Sequence, residues 1–379
     1  MRAVAVLLLL AAAIAAGCGS SAESADDTAV PVGFDPMACD GDIAVMTAYG
    51  GFGAADTVQM NWARVALDKF NQERGSAFGL VPSNVDADAD IAVAEAKRLS
   101  ADPGVIGVVG PKTSVATRAA GPIFDAAGLV YVTPSATNAT LTDGSLRNFY
   151  RVVASDALQA PRMGQFIADD LDPSTVLIVR DEEAYSQGLA DGLMAKLDEL
   201  KVPYVVADVT VGQRDFADVV AKVDPTINVV ALPLLDAHDA TTLVEQLWKA
   251  GKYPKIVGGD ALFLKAFAVP GGYVTTYAPD SSDEKEAIDL VRLYQAIFGD
   301  FEQFGAPAYV AMQVVLEAAW RDCLAHDEVT RAGVASELPK TDLPTSMLGM
   351  PIRFTPEHEL EGAAVQVYQI GPRGFDLVG

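Results

Sequence analysis

Short runs of valine and isoleucine alternate along the chain with longer segments whose apolar residues recur every three or four positions. The runs predict strands at residues 43–48, 105–110, 129–133, 175–180, 204–209, 228–232, 255–258 and 273–276. Between the first two runs, the apolar positions of segment 57–71 have the spacing of an amphipathic helix. This alternation is typical of βα units built around parallel sheets.

The chain has 379 residues, which is long for one ordinary core and fits two α/β units. Polar stretches at about 154–160 and 279–283, and a third change before a predicted terminal strand near 363–370, indicate three crossings between the units. We therefore expect two doubly wound parallel-sheet lobes joined by a three-strand hinge. Residues 42–155 with 279–355 are expected to form the first lobe, and 156–278 with 356–379 the second.

The N-terminus has the pattern of an export signal. Met1 and Arg2 precede an apolar run that ends at Ala16, shorter than the roughly 20 residues of a membrane-spanning helix. The letters AAGC at 15–18 resemble a bacterial lipobox, which implies a signal peptide over 1–18 and acylation of Cys18; an ordinary secretory cleavage site is the alternative. Polar residues over 19–41 predict a flexible tether.

Charge and cysteine content narrow the classes of function. The formal net charge of −24 excludes nucleic acid as a partner. The sequence has three histidines, no Gly-x-Ser-x-Gly motif and no His/Cys cluster at metal spacing, so we expect neither an enzyme nor a metal or cofactor site. In an oxidising compartment, Cys39 and Cys323 either form a disulfide or remain as two buried thiols.

Candidate ligand contacts follow the predicted strands, because open α/β sheets bind ligands outside the carboxyl ends of their strands. Lys112, Thr113 and Ser114 open a helix whose N–H groups favour a carboxylate. Simple N-capping by Thr113 or Ser114 is the alternative. Ser135 and Thr137 follow the next strand at the same sheet edge and add further hydroxyl groups.

The second lobe offers candidate acceptors for an ammonium group. Asp236 and Asp260 each follow a predicted strand, and each either faces an ammonium across the cleft or caps the helix behind it. Tyr185 also follows a strand and provides either an apolar wall with a polar tip or an ordinary surface tyrosine.

From about residue 42 to its end, the chain resembles the branched-chain amino-acid-binding proteins, the type I periplasmic binding proteins of leucine/isoleucine/valine importers. The resemblance rests on the motifs GPKTS (110–114), TPSATN (133–138), YSQG (185–188) and GQRDF (212–216). It implies a monomeric extracytoplasmic lipoprotein on the cell membrane that closes on an amino acid or related carboxylate and delivers it to ABC permease subunits. A ligand-sensing receptor of the same fold, acting on a signalling partner, is the alternative.

The resemblance also implies roles for individual residues. Ser114 matches the serine that binds the ligand carboxylate, and Asp260 falls where the family places an acid for the ammonium. The remaining positions of the implied ligand set are Ser135, Ala136, Thr137, Tyr185 and Phe304. Two residues depart from the family pattern: Lys112 replaces an apolar pocket residue and Asp236 a tyrosine. These two either form an ion pair or hold a polar ligand, so both branched-chain and polar ligands remain open.

Overall fold

The structure is a computed structural model that describes residues 35–48, 57–277, 279, 281, 284–300, 302–372 and 374–379. Cys18 and the predicted signal peptide over 1–18 lie outside the described residues. The strands are β1 Asp40–Thr47, β2 Ala77–Asn84, β3 Val105–Val109, β4 Val130–Thr133, β5 Phe149–Arg151, β6 Val176–Arg180, β7 Tyr204–Asp208, β8 Val229–Leu232, β9 Lys255–Gly258, β10 Tyr273–Thr276, β11 Gln366–Gly371 and β12 Gly374–Leu377. The helices are α1 Val58–Arg74, α2 Ala89–Ala101, α3 Ser114–Ala126, α4 Asp156–Asp170, α5 Ala184–Leu200, α6 Ala217–Lys222, α7 Ala237–Lys249, α8 Ile288–Phe298, α9 Ala306–His326 and α10 Arg331–Glu337.

The first lobe contains a five-stranded sheet in the order β2-β1-β3-β4-β5, with every strand pair parallel. Its central strands β3 and β4 are buried along their whole length, as expected of a sheet covered by helices on both faces. On one face, Trp62 of α1 stacks on Tyr294 of α8 with ring centroids 4.5 Å apart. The core therefore joins the N-terminal helix to helices that follow the second lobe in sequence.

The second lobe contains a seven-stranded sheet in the order β12-β11-β10-β9-β8-β6-β7. Strands β6 to β10 are parallel, whereas β11 and β12 add an antiparallel hairpin at one edge. The two sheets confirm the predicted α/β fold with parallel sheets in two lobes.

Each predicted strand is present, with ends that differ by a few residues, but the prediction omitted β2, β5 and β12. Strand β2 contains Gly79 and Pro82, which weaken a strand pattern. Proline is tolerated there because β2 is an edge strand of its sheet. Strands β5 and β12 are also edge strands, of three and four residues, too short to show a period.

The crossings between the lobes lie side by side. Val153 and Ala154 of the first crossing and Tyr277 of the second are buried together, with Ala363 and Val365 of the third packed against them. The third crossing comes later than expected, because Leu360 still belongs to the core of the first lobe. The expected boundary at 355/356 is therefore displaced by several residues.

A disulfide joins Cys39, just before β1, to Cys323 near the end of α9. Both cysteines are fully buried, and Asp40 pairs with Ala77 in the first sheet. The ordered lobe therefore begins before residue 41, where the tether was expected to end, because the bond and the strand pairing fix this segment. Among the described residues, no helix is both long and apolar enough to cross a membrane.

Candidate functional site

At the carboxyl edge of the first sheet, the chain turns from β3 into α3 through a cis peptide bond between Gly110 and Pro111. Gly110 has a φ of +112°, and a Cβ there would lie 2.4 Å from the carbonyl oxygen of Met46, so the turn requires glycine. Thr113 caps α3 by accepting a hydrogen bond from the amide of Ala116. The hydroxyl oxygen of Ser114, one residue further, accepts from the amide of Asn138.

The loop after β4 is held by its own hydroxyl groups. Thr133 Oγ1 accepts hydrogen bonds from the amides of Ser135 (3.2 Å) and Ala136 (2.9 Å) and donates to the carbonyl oxygen of Pro111. Ser135 Oγ donates to the carbonyl oxygen of Lys112 over 2.7 Å. The amide of Ala136 is thus used inside the loop, and this network fixes the loop against the start of α3.

Thr137 differs from its neighbours in this loop. Its side chain is fully buried, and its hydroxyl oxygen makes no hydrogen bond of normal geometry with the described residues. Its hydroxyl lies near the carboxyl group of Asp156 and lowers the pKa of that group.

Across the cleft, Asp260 follows β9 and is 1% exposed. Its Oδ1 accepts a hydrogen bond of 2.8 Å from the hydroxyl of Tyr185 on α5. A Cβ on Gly259 would lie 2.3 Å from that hydroxyl oxygen, so glycine permits the approach. Tyr185 is 5% exposed, which rules out the surface alternative.

Asp236 and Lys112 do not form the ion pair that the sequence suggested. Asp236 caps α7, accepting hydrogen bonds from the amides of His238 (2.7 Å) and Asp239 (2.9 Å), so its carboxylate is directed at the helix. Lys112 Nζ lies 3.3 Å from Oδ1 of Asp86 instead. Asp236 therefore caps the helix that follows it, which was the alternative stated for this residue.

Two cavities lie between the lobes and share several lining residues. The inner cavity is small, about 30 Å³, and its lining includes Lys112, Thr113, Ser114, Ser135, Tyr185, Leu235, Asp260, Ala261 and Phe304. The outer cavity is about 330 Å³, and its charged and titratable lining residues are Asp86, Lys112, Glu183, Asp236 and His238. Phe304 borders both cavities. Of the expected ligand set, Ser114, Ser135, Tyr185, Asp260, Phe304 and Lys112 are thus brought together.

The lobes touch beside the inner cavity. Asn138 Nδ2 of the first lobe donates a hydrogen bond of 2.7 Å to the carbonyl oxygen of Ala184, the first residue of α5. The inner cavity is therefore narrow, with the two lobes in direct contact beside it.

Sequence reasoning missed a second buried acid, Asp156, at the start of α4. Its carboxylate oxygens make no hydrogen bond of normal geometry with the described residues, and neither do Gln159 Oε1 and the hydroxyl of Tyr277. In the sequence, Asp156 looks like an ordinary acidic residue in a helix's first turn. The available signal was its position in the first polar crossing, with Gln159 three residues later on the same helix face.

Burial dominates the electrostatics of the two acids. It raises the pKa of Asp260 to about 6, although hydrogen bonds from Tyr185 and Gln159 oppose the shift. Burial and then the charge of Asp260 raise the pKa of Asp156 to about 8, against the lowering effects of the neighbouring Thr137 hydroxyl and Arg151. The site therefore favours a cation beside these carboxyl groups.

Comparison with known proteins agrees with this geometry. The model of the periplasmic binding protein family matches residues 42–374. The Leu/Ile/Val-binding protein homolog 1 of Brucella abortus is 28% identical over 267 residues, covering 68% of this chain and 71% of that protein. The leucine-binding protein LivK of Thermotoga maritima superposes with a TM-score of 0.79 at 22% identity, covering 89% of this chain and 97% of that one.

A second solved structure, the branched-chain amino acid transporter substrate-binding protein LivJ of Streptococcus pneumoniae in complex with isoleucine, gives a TM-score of 0.77 at 21% identity and covers 89% of this chain and 99% of its own. These structures share the two-lobed fold. The family match extends over both sheets and the cleft between them, and its members are binding proteins and not enzymes. The chain belongs to the periplasmic binding protein family.

Proposed function

We propose that this protein is an extracytoplasmic solute receptor that captures an amino acid between its lobes and delivers it to an ABC importer. The observation that carries the proposal is the opposition of two kinds of group at the inner cavity. Ser114, at the N-terminus of α3, suits a carboxylate, and buried Asp260 on the other lobe suits an ammonium. An α-amino acid has both charges on neighbouring atoms.

Closure of the hinge supplies the signal for delivery. The ligand contacts come from both lobes, so a bound amino acid stabilises the closed arrangement over the open one. The direct contact of Asn138 with Ala184 supports this proposal, because it joins the loop after β4 of the first lobe to α5 of the second. A permease that recognises this closed face receives only loaded protein.

The ligand side chain is proposed to occupy the outer cavity. The names of the relatives favour leucine, isoleucine or valine, and the apolar residues Val211, Leu235 and Leu264 offer a surface for them. Lys112, Glu183 and Asp236 add charge to the same wall. Polar amino acids therefore belong in the first screen beside the branched-chain ones.

Thermal unfolding of the mature protein with each amino acid tests the proposal, because a ligand that binds only the folded state raises the unfolding temperature. We expect at least one amino acid to raise it, and the Ser114→Ala variant to lose the shift. Isothermal titration then gives the affinity. If no amino acid stabilises the protein, amino-acid capture is wrong. If one binds, but cells that lack an amino-acid ABC permease still respond to it, the signalling alternative is favoured.

Acylation of Cys18 is proposed as the means of membrane attachment. Two or more acyl chains anchor a protein stably, since each buried methylene contributes about 0.8 kcal/mol. Metabolic labelling with a palmitate analogue should mark the wild type and not Cys18→Ser, which should leave the membrane fraction. Equal labelling of both would contradict a lipoprotein.

A further inference from the structure

The strongest unexplained feature of the described residues is a group of buried polar atoms where the hinge meets the cleft. Asp156 is 3% exposed and Thr137 and Gln159 are fully buried, yet each has at least one side-chain oxygen without a hydrogen bond of normal geometry. The buried hydroxyl oxygen of Tyr277 also has no hydrogen bond of normal geometry with the described residues. Such atoms cost free energy unless something binds them.

The group contains the carboxyl group of Asp156, with the charge of Asp260 close enough to act on it, and the nearby guanidinium of Arg151 is occupied by other acceptors. Arg151 directs its guanidinium hydrogens to Glu359, with Nε 2.6 Å from Oε2, and to the carbonyl oxygens of Thr137 and Asn138. The other titratable groups facing Asp156 are Asp260, Tyr185 and Tyr277, none of which carries positive charge. Two adjacent buried carboxylates without a cation cannot both be ionised at low cost.

We propose that Asp156 and Asp260 act as one acidic pair, which holds a proton in the ligand-free protein and releases it to solvent when a ligand ammonium binds at Asp260. The inference rests on the proposed capture of an amino acid. Asp260 lines the inner cavity and meets the ligand, whereas Asp156 lies behind it and is a positioning residue. The ammonium replaces the proton as the positive charge beside the pair, so the net charge at this position stays at about −1.

The pair titrates as a unit, and its proton is bound at neutral pH because burial raises the pKa of both carboxyl groups and the charge of Asp260 raises that of Asp156 further. Lower pH keeps the proton on the pair and opposes the ammonium. Amino-acid affinity should therefore weaken by about tenfold per pH unit as the pH falls from 7.5 to 5.5, the slope for one linked proton.

Titration calorimetry in buffers of different ionisation enthalpy counts the released protons. With L-leucine, or the amino acid that gives the largest thermal shift, the wild type should release about one proton per ligand at pH 7. Asp156→Asn should bind with almost no release and a flat pH profile. Asp239→Asn removes a buried carboxylate of the second lobe that bonds to Gly212 and Arg214, and should release as much as the wild type. Equal heats in all buffers, or full release by Asp156→Asn, would overturn the inference.

A second probe isolates the ammonium. The oxo-acid 4-methyl-2-oxopentanoate has the carboxylate and side chain of leucine and no ammonium, so any binding should proceed without proton release. Proton release on binding of this oxo-acid would contradict the proposed exchange of a proton for the ammonium.

Carbon-13 NMR of aspartate carboxyl groups tests the pair without any ligand. We expect one signal of the ligand-free protein to titrate near pH 8 and to disappear in Asp156→Asn. If no amino acid binds but this signal is present, the proposed function is wrong and the protonated pair stands. If amino acids bind and the signal is absent, the pair is wrong and the proposed function stands.

Discussion

The hydroxyl of Tyr185 donates a hydrogen bond of 2.8 Å to Oδ1 of Asp260, and both side chains are buried. The contact joins the first turn of α5 to the loop after β9, two loops at the carboxyl edge of the second sheet. It fixes the carboxylate at the wall of the inner cavity.

Replacing Asp260 by alanine should abolish amino-acid binding. A buried ammonium without its charged acceptor costs about 3 kcal/mol or more, which corresponds to a loss of at least roughly a hundredfold in affinity. Titration calorimetry measures the change. Asp88→Ala is the control, because Asp88 caps α2 through the amide of Ile91 and lines neither cavity, so the variant should lose about 1 kcal/mol of stability while the ligand still binds. Wild-type affinity in Asp260→Ala would contradict the assigned role.

The ion pair of Arg151 with Glu359 should couple the third crossing to the loop after β4. Arg151 is fully buried and donates to the carbonyl oxygens of Thr137 and Asn138, while Glu359 precedes the third crossing. Glu359→Gln should lower both stability, by about 1–3 kcal/mol, and amino-acid affinity, because the guanidinium loses its charged partner.

The control for this pair is Glu337→Gln, which weakens the contact with Arg321 on the far side of the first lobe. It should reduce stability without changing affinity. Equal effects of both variants on ligand affinity, measured by calorimetry, would show that Glu359 has no special link to the loop.

The disulfide should contribute strongly to stability because it closes a long loop, with a sequence separation of 284 between its cysteines. The double variant Cys39→Ser/Cys323→Ser should lose about 2–4 kcal/mol in denaturant unfolding, and reducing agent should shift the wild type toward it. Reducing agent should leave the double variant unchanged. A wild type insensitive to full reduction would contradict this contribution.

Lys112 should affect ligand choice more than stability. Its ion pair with Asp86 involves a carboxylate whose side chain is 61% exposed, so Lys112→Ala should change the stability by less than about 1 kcal/mol. In the ranking of amino acids by thermal shift, apolar amino acids should rise, because the walls of both cavities lose a cation. An unchanged ranking would place the ligand side chain away from Lys112.

The stability of the ligand-free protein should depend on Asp156 in the neutral range. The folded-state pKa of about 8 lies above the ordinary value of 3.8, so the folded state holds this proton more tightly than the unfolded state. This stabilisation is complete below about pH 4 and is lost as the pH rises through 8. Between pH 5 and 8.5, the unfolding temperature of the wild type should fall steadily relative to that of Asp156→Asn. A constant difference between the two proteins would contradict the raised pKa.

Much of the fold was predictable from periodicity. Strands such as β3, β6 and β8 are continuous apolar runs because helices cover both faces of a parallel sheet. Edge strands β2 and β5 escaped prediction because an edge needs neither length nor a full apolar pattern. The late third crossing also escaped, since Leu360 is buried by long-range packing that no local pattern encodes.

The placement of Ser114 and Asp260 at the wall of the inner cavity was predictable, because each follows a strand at the carboxyl edge of its sheet. The role of an acidic residue was not predictable where two acids fit the same local sequence pattern. Asp236 and Asp260 both follow strands, and tertiary structure directs one at helix amides and the other at Tyr185.

The sequence by itself determined the two-lobed α/β class, the sheet edge that holds the site, and the polar loops that follow its strands, because these depend on local period and chain direction. Tertiary structure decided the partners: Lys112 with Asp86, Arg151 with Glu359, and Asp156 with Asp260. The physical reason is that charge pairing and burial depend on distances between segments far apart in the chain. The neighbourhood of Asp156 and Asp260 arises within the second lobe, where α4 packs against α5 and β10 beside the loop after β9.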